Sequence, residues 1–202
     1  MKLSRVERSF FAEGYKRIIA VDEVWMGCLA GPVVVCAVVL TKDIPLIRNI
    51  RDSKLMTAPQ RETCADIIKK LKLKYKISYC YPKTIDKINI YQASRKAMRR
   101  AVTAIQLYSY TAIVLVDGPH KIPNLKLPQQ AIVHGDRKVF AIACASILAK
   151  VYRDKMMRNY AQKYPRYGFE KHKGYGTKLH YAMLAKYGPC ELHRKSFRIV
   201  TS

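Results

Sequence analysis

The sequence is poor in acids. Its 202 residues include 14 Asp and Glu against 38 Lys and Arg, which gives a formal net charge of +24. So basic a chain favours a polyanionic partner, because lysine and arginine release counterions when they bind phosphate groups. Nucleic acid is the first such partner, although a ribosomal or chromatin-like structural protein would carry the same charge. An anionic membrane surface is a poorer match, because the basic residues are spread along the chain.

Long apolar runs are also missing. The longest uncharged stretch, residues 24–41, contains glycine and proline and does not exceed the roughly 18 residues that a bilayer crossing requires. The opening MKLSRVERSF lacks the apolar segment of a secretory signal. Half of the residues are nevertheless apolar, which is enough for one core. We therefore expect a cytoplasmic monomer without a membrane segment, in which a catalytic core (1–160) and a basic helical segment (161–202) form one compact unit.

Paired cysteines are a further absence. The six cysteines form no C-x-x-C motif, and several lie within apolar runs, where a thiol behaves as a small hydrophobic group. This pattern predicts a reducing compartment, with neither disulfides nor a zinc site. The alternative, a disulfide framework, is disfavoured because a chain of this length does not need cross-links to be stable.

The sequence patterns predict strands and helices that alternate along the chain. β-Branched runs at 17–22 and 32–40 predict two paired strands, and TAIVLVDG (111–118) predicts a third buried strand. KLKYKISYCY (72–81) alternates basic with apolar residues, as in a strand near a sheet edge. Helical spacing follows at about 58–71, 84–108, 140–157 and 177–187. The order predicts a mixed α/β sheet flanked by helices, and such sheets bind ligands at strand ends.

Four of the scarce acids occupy unusual positions. Asp22, Glu23 and Asp117 end apolar strands, and Asp136 precedes the long helix. A carboxylate at a buried strand end is unfavourable unless a cation such as lysine or Mg²⁺ compensates it, and neither strand end has a basic neighbour. Hard oxygen ligands suit Mg²⁺ or Mn²⁺, and two such ions roughly 4 Å apart can cleave a phosphodiester. The alternative is that each acid is a helix cap or a surface ion pair.

Spacing constrains this set of acids. Asp22 and Glu23 are adjacent, so on a regular strand their side chains point to opposite faces, and we expect Glu23 to lie where the strand breaks into a loop. Asp154 is excluded from the set, because a helix from Asp136 would place it roughly 27 Å away. We expect Asp154 to form a solvated pair with Lys150 or Arg158.

Several motifs together resemble bacterial ribonuclease HII. They are AVDEVWMGCLAGPVVVCAVVL, RDSKLM, VLVDG, HGDRKVFAIACASILAKVYRD, and YGFEKHKGYGT followed by YGPCELHRKSF. The resemblance extends in order from about residue 17 to 197. It implies a ribonuclease H-like fold with a C-terminal helical extension. It also implies an endonuclease that cuts the RNA of RNA/DNA hybrids and nicks duplex DNA 5′ of an embedded ribonucleotide, leaving 5′-phosphate and 3′-hydroxyl ends.

The resemblance also implies roles for particular residues. The family's four metal-binding acids fall on Asp22, Glu23, Asp117 and Asp136, which would hold Mg²⁺ or Mn²⁺ in a two-ion site. Its ribonucleotide-sensing tyrosine falls on Tyr175, which lies between two glycines and could equally be a packed loop residue. Phosphate contacts are expected from Lys54, which matches a family lysine, and from His172, Lys173 and Lys178. For each lysine alone, simple solvation is an equal alternative.

One loop departs from the family pattern D-E-x-G-R-G. Here Trp25 and Met26 replace glycine and arginine, and only the last glycine, Gly27, remains as an expected substrate contact. Trp25 adds a Cβ and an indole where the backbone would approach the substrate, and Met26 removes a guanidinium. Two hypotheses therefore stand: a metal-dependent endoribonuclease, or a catalytically weakened or relaxed-specificity relative that mainly binds hybrid or duplex nucleic acid.

Overall fold

A central sheet of five strands organises the protein. The computed structural model describes residues 3–24, 26–44, 56–105 and 111–197. The strands in chain order are β1 (Arg17–Val24), β2 (Val33–Leu40), β3 (Tyr75–Cys80), β4 (Ala112–Asp117) and β5 (Gln129–Ile132), and the order across the sheet is β3-β2-β1-β4-β5. The α-helices are α1 (Arg5–Ala12), α2 (Ala58–Lys70), α3 (Pro82–Ile105), α4 (Gly135–Lys138), α5 (Phe140–Lys163), α6 (Phe169–His172) and α7 (Lys178–Tyr187).

The directions of the strands define one functional end of the sheet. β1, β4 and β5 are parallel, whereas β2 is antiparallel to both β1 and β3. β1, β3, β4 and β5 therefore all finish at the same edge, which we call the carboxyl end of the sheet. Within the described residues, no helix is long and apolar enough to cross a membrane.

Helices cover both faces of the sheet. Along β1, Ile18 and Ala20 face a cluster that includes α2 and α5, while Ile19 and Val21 face a second cluster that includes α3. Burial on both faces explains why β2 is apolar at every position, VVVCAVVL. All six cysteines are free thiols, and Cys190 alone among them is not fully buried.

The predicted elements are present, and four further strands and α-helices were not predicted: β5, α1 and the four-residue helices α4 and α6. β5 contains only four residues, QQAI, which are too few and too polar for a recognisable period. α1 was missed because it is a short helix of eight residues before the first strand. α3 begins at Pro82, two residues earlier than predicted, and bends at Asn89, whose φ is 63°.

Buried Glu7 links α1 to the start of α5. The amide of Ser4 donates to Glu7 Oε2 at 2.6 Å, and the amide of Ala141 donates to Oε1 at 2.8 Å. Val139, the N-cap residue of α5, provides no side-chain cap hydrogen bond. One carboxylate therefore caps the N-termini of two helices that are distant in sequence.

Glu7→Ala should lower the free energy of unfolding by about 2–3 kcal/mol, because a buried amide at the start of α5 loses its acceptor. Urea denaturation followed by circular dichroism measures this change. Glu13→Ala is the matched control: Glu13 is exposed at the C-cap of the same helix, so its loss should stay within about 0.5 kcal/mol. Equal losses in the two variants would contradict the capping role.

Candidate active site

Asp22 and Asp117 lie side by side at the carboxyl end of the sheet. Val21 pairs with Val116 in parallel register, and each aspartate is the next residue of its strand. Strand alternation turns both carboxylates toward the face that α5 covers. The side chain of Ser146, in α5, forms a hydrogen bond with the Asp22 carboxylate. Asp22 is only 4% exposed.

Asp136 is brought to Asp117 by the backbone of α4. The amides of Gly135 and Asp136 donate to Asp117 Oδ1 at 2.6 and 3.3 Å. A Cβ at Gly135 would come within 3.0 Å of Asp117 Oδ1 and 2.6 Å of Ile142 Cδ1. A side chain at position 135 would therefore have to displace the side chain of Ile142 or of Asp117. Asp136 is 3% exposed.

Glu23 reaches the same end of the sheet from the opposite face. The prediction that it lies where the strand breaks is wrong: Glu23 pairs with Val35, and β1 continues in register to Val24. Its neighbours on this face include Ser94 and Arg95 of α3. Among the described residues, no hydrogen-bond partner is found for the buried Oε2 of Glu23.

The four carboxylates lie in one another's electrostatic field. Burial raises the pKa of Asp22 well above its usual value, and the charges of Asp117, Glu23 and Asp136 raise it further. Burial also raises the pKa of Glu23, to about 7; the Arg95 guanidinium opposes this shift and Asp117 adds to it. A buried group of like charges is stabilised by a compensating cation or by protonation of some of its members.

The chemistry of these donors suits a hard divalent ion. All four side chains offer carboxylate oxygen, the ligand that Mg²⁺ and Mn²⁺ prefer, and one buried oxygen of Glu23 lacks a partner in the described part of the chain. Among the described residues, however, no three His, Cys, Asp or Glu side chains lie close enough together to hold one metal ion. The four acids thus fit divalent ions in donor type, burial and charge. Three of them lie on the α5 side of the sheet, and Glu23 lies on the α3 side.

A loop bearing Tyr175 lies beside the segment that follows β1. The Tyr175 ring is 45% exposed, and Lys150 Nζ lies 5.7 Å from its centroid. The carbonyl oxygen of Gly174 accepts from the amide of Leu29 at 2.9 Å. Gly174 has φ +94°, and a Cβ there would press into the carbonyl oxygen of Ala30. The loop can therefore approach this closely only with glycine at 174.

Buried Arg153 fastens these two segments together. Its guanidinium donates to the carbonyl oxygens of Ala30, at 2.8 Å, and Lys173, and its Nε donates to Pro32. Burial lowers the pKa of Arg153 to about 10, so the side chain remains a cation at neutral pH. A charged fork that bonds to backbone carbonyls holds the loops by their main chain.

Arg194 acts in the same way from the C-terminal segment. It donates to the carbonyl oxygens of Met26 at 2.8 Å and Gly31 at 3.0 Å, and it is fully buried. The altered loop is therefore held at position 26 through its backbone, whichever side chain stands there.

His180 and His193 form a hydrogen-bonded pair that holds the backbone of Tyr175. His193 Nδ1 accepts from the amide of Cys190 at 2.8 Å, so its Nε2 carries the proton and donates to His180 Nε2 at 3.1 Å. His180 Nδ1 in turn donates to the carbonyl oxygen of Tyr175 at 2.8 Å. Burial lowers the pKa of His180 to about 4. Burial lowers the pKa of His193 as well, so both rings are neutral near pH 7.

Three sequence-based expectations need correction or fall outside the structure. His172 is buried, its Nε2 lies 2.7 Å from the carbonyl oxygen of Tyr167, and its Nδ1 accepts from Gly174 at 3.1 Å, so both nitrogens are used within the fold and the expected phosphate contact is wrong. Lys54 and Trp25 lie outside the described residues.

The remaining expected contacts are accessible to different degrees. Gly27 is exposed, and no described atom lies within 4 Å of the Cβ that it lacks. Lys178 is exposed at the start of α7, whereas Lys173 is half-buried and its ammonium donates to the carbonyl oxygen of Glu170.

Asp154 is separate from the acid cluster, as expected, but its surroundings differ from the prediction. It lies 3.7 Å from Lys150 Nζ and 3.9 Å from Arg61, and it is buried, not solvated. Arg158, the alternative partner, pairs with Glu62 at 2.9 Å. The correction follows from tertiary packing, because α2 lies against α5 at this point.

Sequence reasoning missed Arg95, Arg153 and Arg194 as elements of the site. For Arg153 a pattern was available: it continues the buried stripe of α5 between Ala149 and Met157. An arginine within an apolar stripe indicates a buried cation with dedicated acceptors.

Solved structures with this architecture define the class of protein. The ribonuclease H2 of Pyrococcus horikoshii OT3 has a TM-score of 0.73 at 22% identity, over 91% of this chain and 94% of that one. A chain of the PCNA:RNase HII complex from Archaeoglobus fulgidus also has 0.73, at 24% identity and 90% and 95% coverage. Bst-RNase HIII in complex with Mn²⁺ has 0.67 at 13% identity and 96% and 71% coverage. The fold is thus that of the type 2 ribonucleases H, as predicted.

Sequence relatives narrow the class to one family. The model of the family Ribonuclease HII matches residues 19–200. Ribonuclease HII of Caldicellulosiruptor saccharolyticus is 49% identical over 192 residues, 95% of this chain and 92% of that protein, and that of Alkaliphilus metalliredigens is 41% identical over 207 residues, 98% and 97%. The chain belongs to the ribonuclease HII family. It is a metal-dependent endonuclease of the ribonuclease H type, and this prediction is confirmed.

Gly174→Ala should separate the tyrosine loop from the segment after β1 and lower the free energy of unfolding by at least about 2 kcal/mol, because a methyl group would strike the carbonyl oxygen of Ala30. Gly14→Ala is the matched control: Gly14 has φ +95°, and no described atom lies within 4 Å of a Cβ there. It should therefore lose only about 1 kcal/mol from backbone strain. Urea unfolding measures both variants, and equal losses would refute the close approach.

Proposed function

We propose that the chain cleaves the RNA strand of RNA/DNA hybrids and nicks duplex DNA 5′ of embedded ribonucleotides, leaving 5′-phosphate and 3′-hydroxyl ends. The observation that carries this proposal is the set of four carboxylates in one electrostatic field at the carboxyl end of the sheet, in a chain of net charge +24. A duplex is attracted to the basic surface, and the acids can take up its scissile phosphate only with cations between them.

In this proposal Asp22 would contribute to the binding of both of two Mg²⁺ or Mn²⁺ ions, and Glu23, Asp117 and Asp136 would supply the other protein ligands. When bound, the ions supply an activated water and stabilise the leaving 3′-oxygen. The amides of Gly135 and Asp136 orient the Asp117 carboxylate by bonding its Oδ1. The Mn²⁺ bound by the structurally similar Bst-RNase HIII is consistent with this choice of metal.

The substrate would lie along the loops around Tyr175. Its exposed ring can stack on a ribose or a base, and its backbone is fixed by His180. Lys150, 5.7 Å from the ring centroid, places a positive charge beside it, and Lys54, Lys173 and exposed Gly27 would complete the contacts with the strand. Positioning contacts of this kind orient a duplex without reading its sequence.

The C-terminal segment takes part in this surface. We propose that residues 161–202 are the substrate-binding part of the same compact unit as the core, 1–160, and that the protein acts as a monomer. The supporting contacts are those of Phe169, Leu184 and Leu192, which form one buried cluster with Leu29 and Met157.

The alternative is a relative that mainly binds hybrid or duplex nucleic acid. Trp25 and Met26 in place of glycine and arginine favour it, because they remove a guanidinium and add bulk beside Gly27. The four acids favour the nuclease, because a binding surface for phosphate has no use for buried negative charge.

Asp22→Asn and Asp117→Asn should each reduce nicking of a duplex with one ribonucleotide at least 100-fold, because one metal ligand loses its charge. Affinity for the duplex should change less than threefold. Asp66→Asn is the control, since Asp66 is exposed and pairs with Lys69 at 2.9 Å, and its activity should be unchanged. Nicking is measured on denaturing gels with Mg²⁺ or Mn²⁺.

Melting curves provide a second measurement that does not need activity. MnCl₂ should raise the melting temperature of the original chain and leave that of Asp22→Asn nearly constant. Absence of metal-dependent cutting of both a ribonucleotide-containing duplex and an RNA/DNA hybrid would reject the nuclease and favour the binding protein.

Replacing Trp25 by glycine and Met26 by arginine should raise the ratio of kcat/KM for an embedded ribonucleotide over that for a continuous hybrid about tenfold, because a guanidinium and a close backbone approach are restored. Met26→Leu, which restores neither, is the control. An unchanged ratio in the double variant would mean that this loop does not set the preference.

A further inference from the structure

A groove of about 590 Å³ lies outside the acid cluster. The start of α3, the end of α5 and the C-terminal segment form its walls. Its lining brings tyrosine rings and lysine ammonium groups together. They are Tyr81, Tyr160, Tyr164, Lys83, Lys163 and Lys195. We call this set the tyrosine groove.

The carboxylates of the tyrosine groove are engaged within the fold. Asp86 accepts hydrogen bonds from the amides of Lys195 and Ser196 at 3.1 and 2.9 Å, and from the Ser196 hydroxyl at 2.7 Å. Glu191 Oε2 accepts from the Tyr164 hydroxyl at 3.1 Å. The three lysines, in contrast, are exposed to solvent. A ligand in the groove therefore meets lysine ammonium groups, whereas the carboxylates of the groove already accept hydrogen bonds from the protein.

The aromatic surface is partly preorganised. Tyr81 is 44% exposed, yet it hydrogen-bonds Tyr160 and packs edge-on against Tyr79 with ring centroids 5.2 Å apart. Lys163 Nζ lies 5.4 Å from the centroid of the Tyr164 ring. Rings held in place beside cations are the arrangement on which unpaired bases stack, whatever their sequence.

The tyrosine groove opens at the same end of the sheet as the acids. β3 runs in the direction of β1, and the register aligns Asp22 with Cys36 and Cys36 with Ile77. Tyr81 is four residues beyond Ile77, about 13 Å along the strands, and two strands, about 10 Å, across. The separation of roughly 16 Å corresponds to about five nucleotides at about 3.4 Å each.

We propose that the tyrosine groove binds a single-stranded segment of nucleic acid, continuous with the duplex held at the acids. Unpaired nucleotides fit it better than a duplex does, because paired bases stack on each other and present no face to a tyrosine. The proposal goes beyond the cleavage reaction, since binding in the groove requires neither metal nor cutting.

The test measures binding of a fluorescein-labelled 20-nucleotide single strand to the full chain by anisotropy, in EDTA, so that its result does not depend on nuclease activity. Tyr81→Ala should weaken binding about tenfold. Tyr75→Ala is the matched control: Tyr75 is 40% exposed at the start of β3, whereas Tyr81 directly follows the end of β3. The effect of Tyr75→Ala should stay below twofold. Tyr81→Phe retains the ring and should stay within threefold of the original affinity.

A second arm compares duplexes with and without an eight-nucleotide unpaired extension. The extension should strengthen binding to the original chain and have no effect on Tyr81→Ala, with both variants melting as the original protein does. Equal losses in Tyr81→Ala and Tyr75→Ala, or equal losses on single strands and blunt duplexes, would overturn the proposal. So would displacement of the single strand by poly-glutamate at equal charge concentration, because the groove would then recognise charge alone.

Discussion

The parallel pairing of β1 with β4 is the constraint on which the site depends. Backbone hydrogen bonds align Val21 with Val116, and the next residue of each strand is an aspartate on the same face. The two side chains cannot separate without breaking the ladder, so the sheet imposes repulsion that the side chains alone would avoid. The stability of the folded chain and its demand for cations thus have a common origin in strand register.

Exposed and buried basic residues have different roles in this molecule. Most of the 38 Lys and Arg residues can contribute only a screened, sequence-independent attraction for phosphate. Arg153 and Arg194 do something different, because they are fully buried and spend their hydrogen bonds on backbone carbonyls of the segment after β1 and of the tyrosine loop. The loops that would meet a nucleic-acid strand are therefore joined to each other before any substrate arrives, which reduces the ordering that binding must impose.

Prediction from sequence agreed with the structure where local pattern and tertiary structure coincide. The positions of Asp22 and Asp117 near the ends of buried strands could be predicted because each follows an apolar run, while their role as metal ligands stays a prediction. The location of Glu23 at a break in the strand was predicted wrongly, because nothing local reveals that β2 keeps the ladder in register to Val24.

Other features depend on partners distant in sequence. Glu7 bonds Ala141 across 134 residues, and the two nitrogens of His172 are used by neighbours that only the folded loop provides. A histidine, a residue type common in phosphate binding, can thus form only internal hydrogen bonds. The residue type alone does not distinguish the two roles.

The altered loop separates two functions that the family pattern joins. Arg194 holds position 26 by its carbonyl oxygen, an acceptor that every residue possesses, so the replacement of arginine by methionine changes the side-chain chemistry there without removing that anchor. The Met26 side chain packs against the α3 face of the core, whereas a guanidinium would have to reach solvent or substrate. The acids, fixed by the sheet, are independent of this exchange. Selection of the strand and chemistry at the phosphate are therefore supported by different parts of the fold, and the first can change while the second is retained.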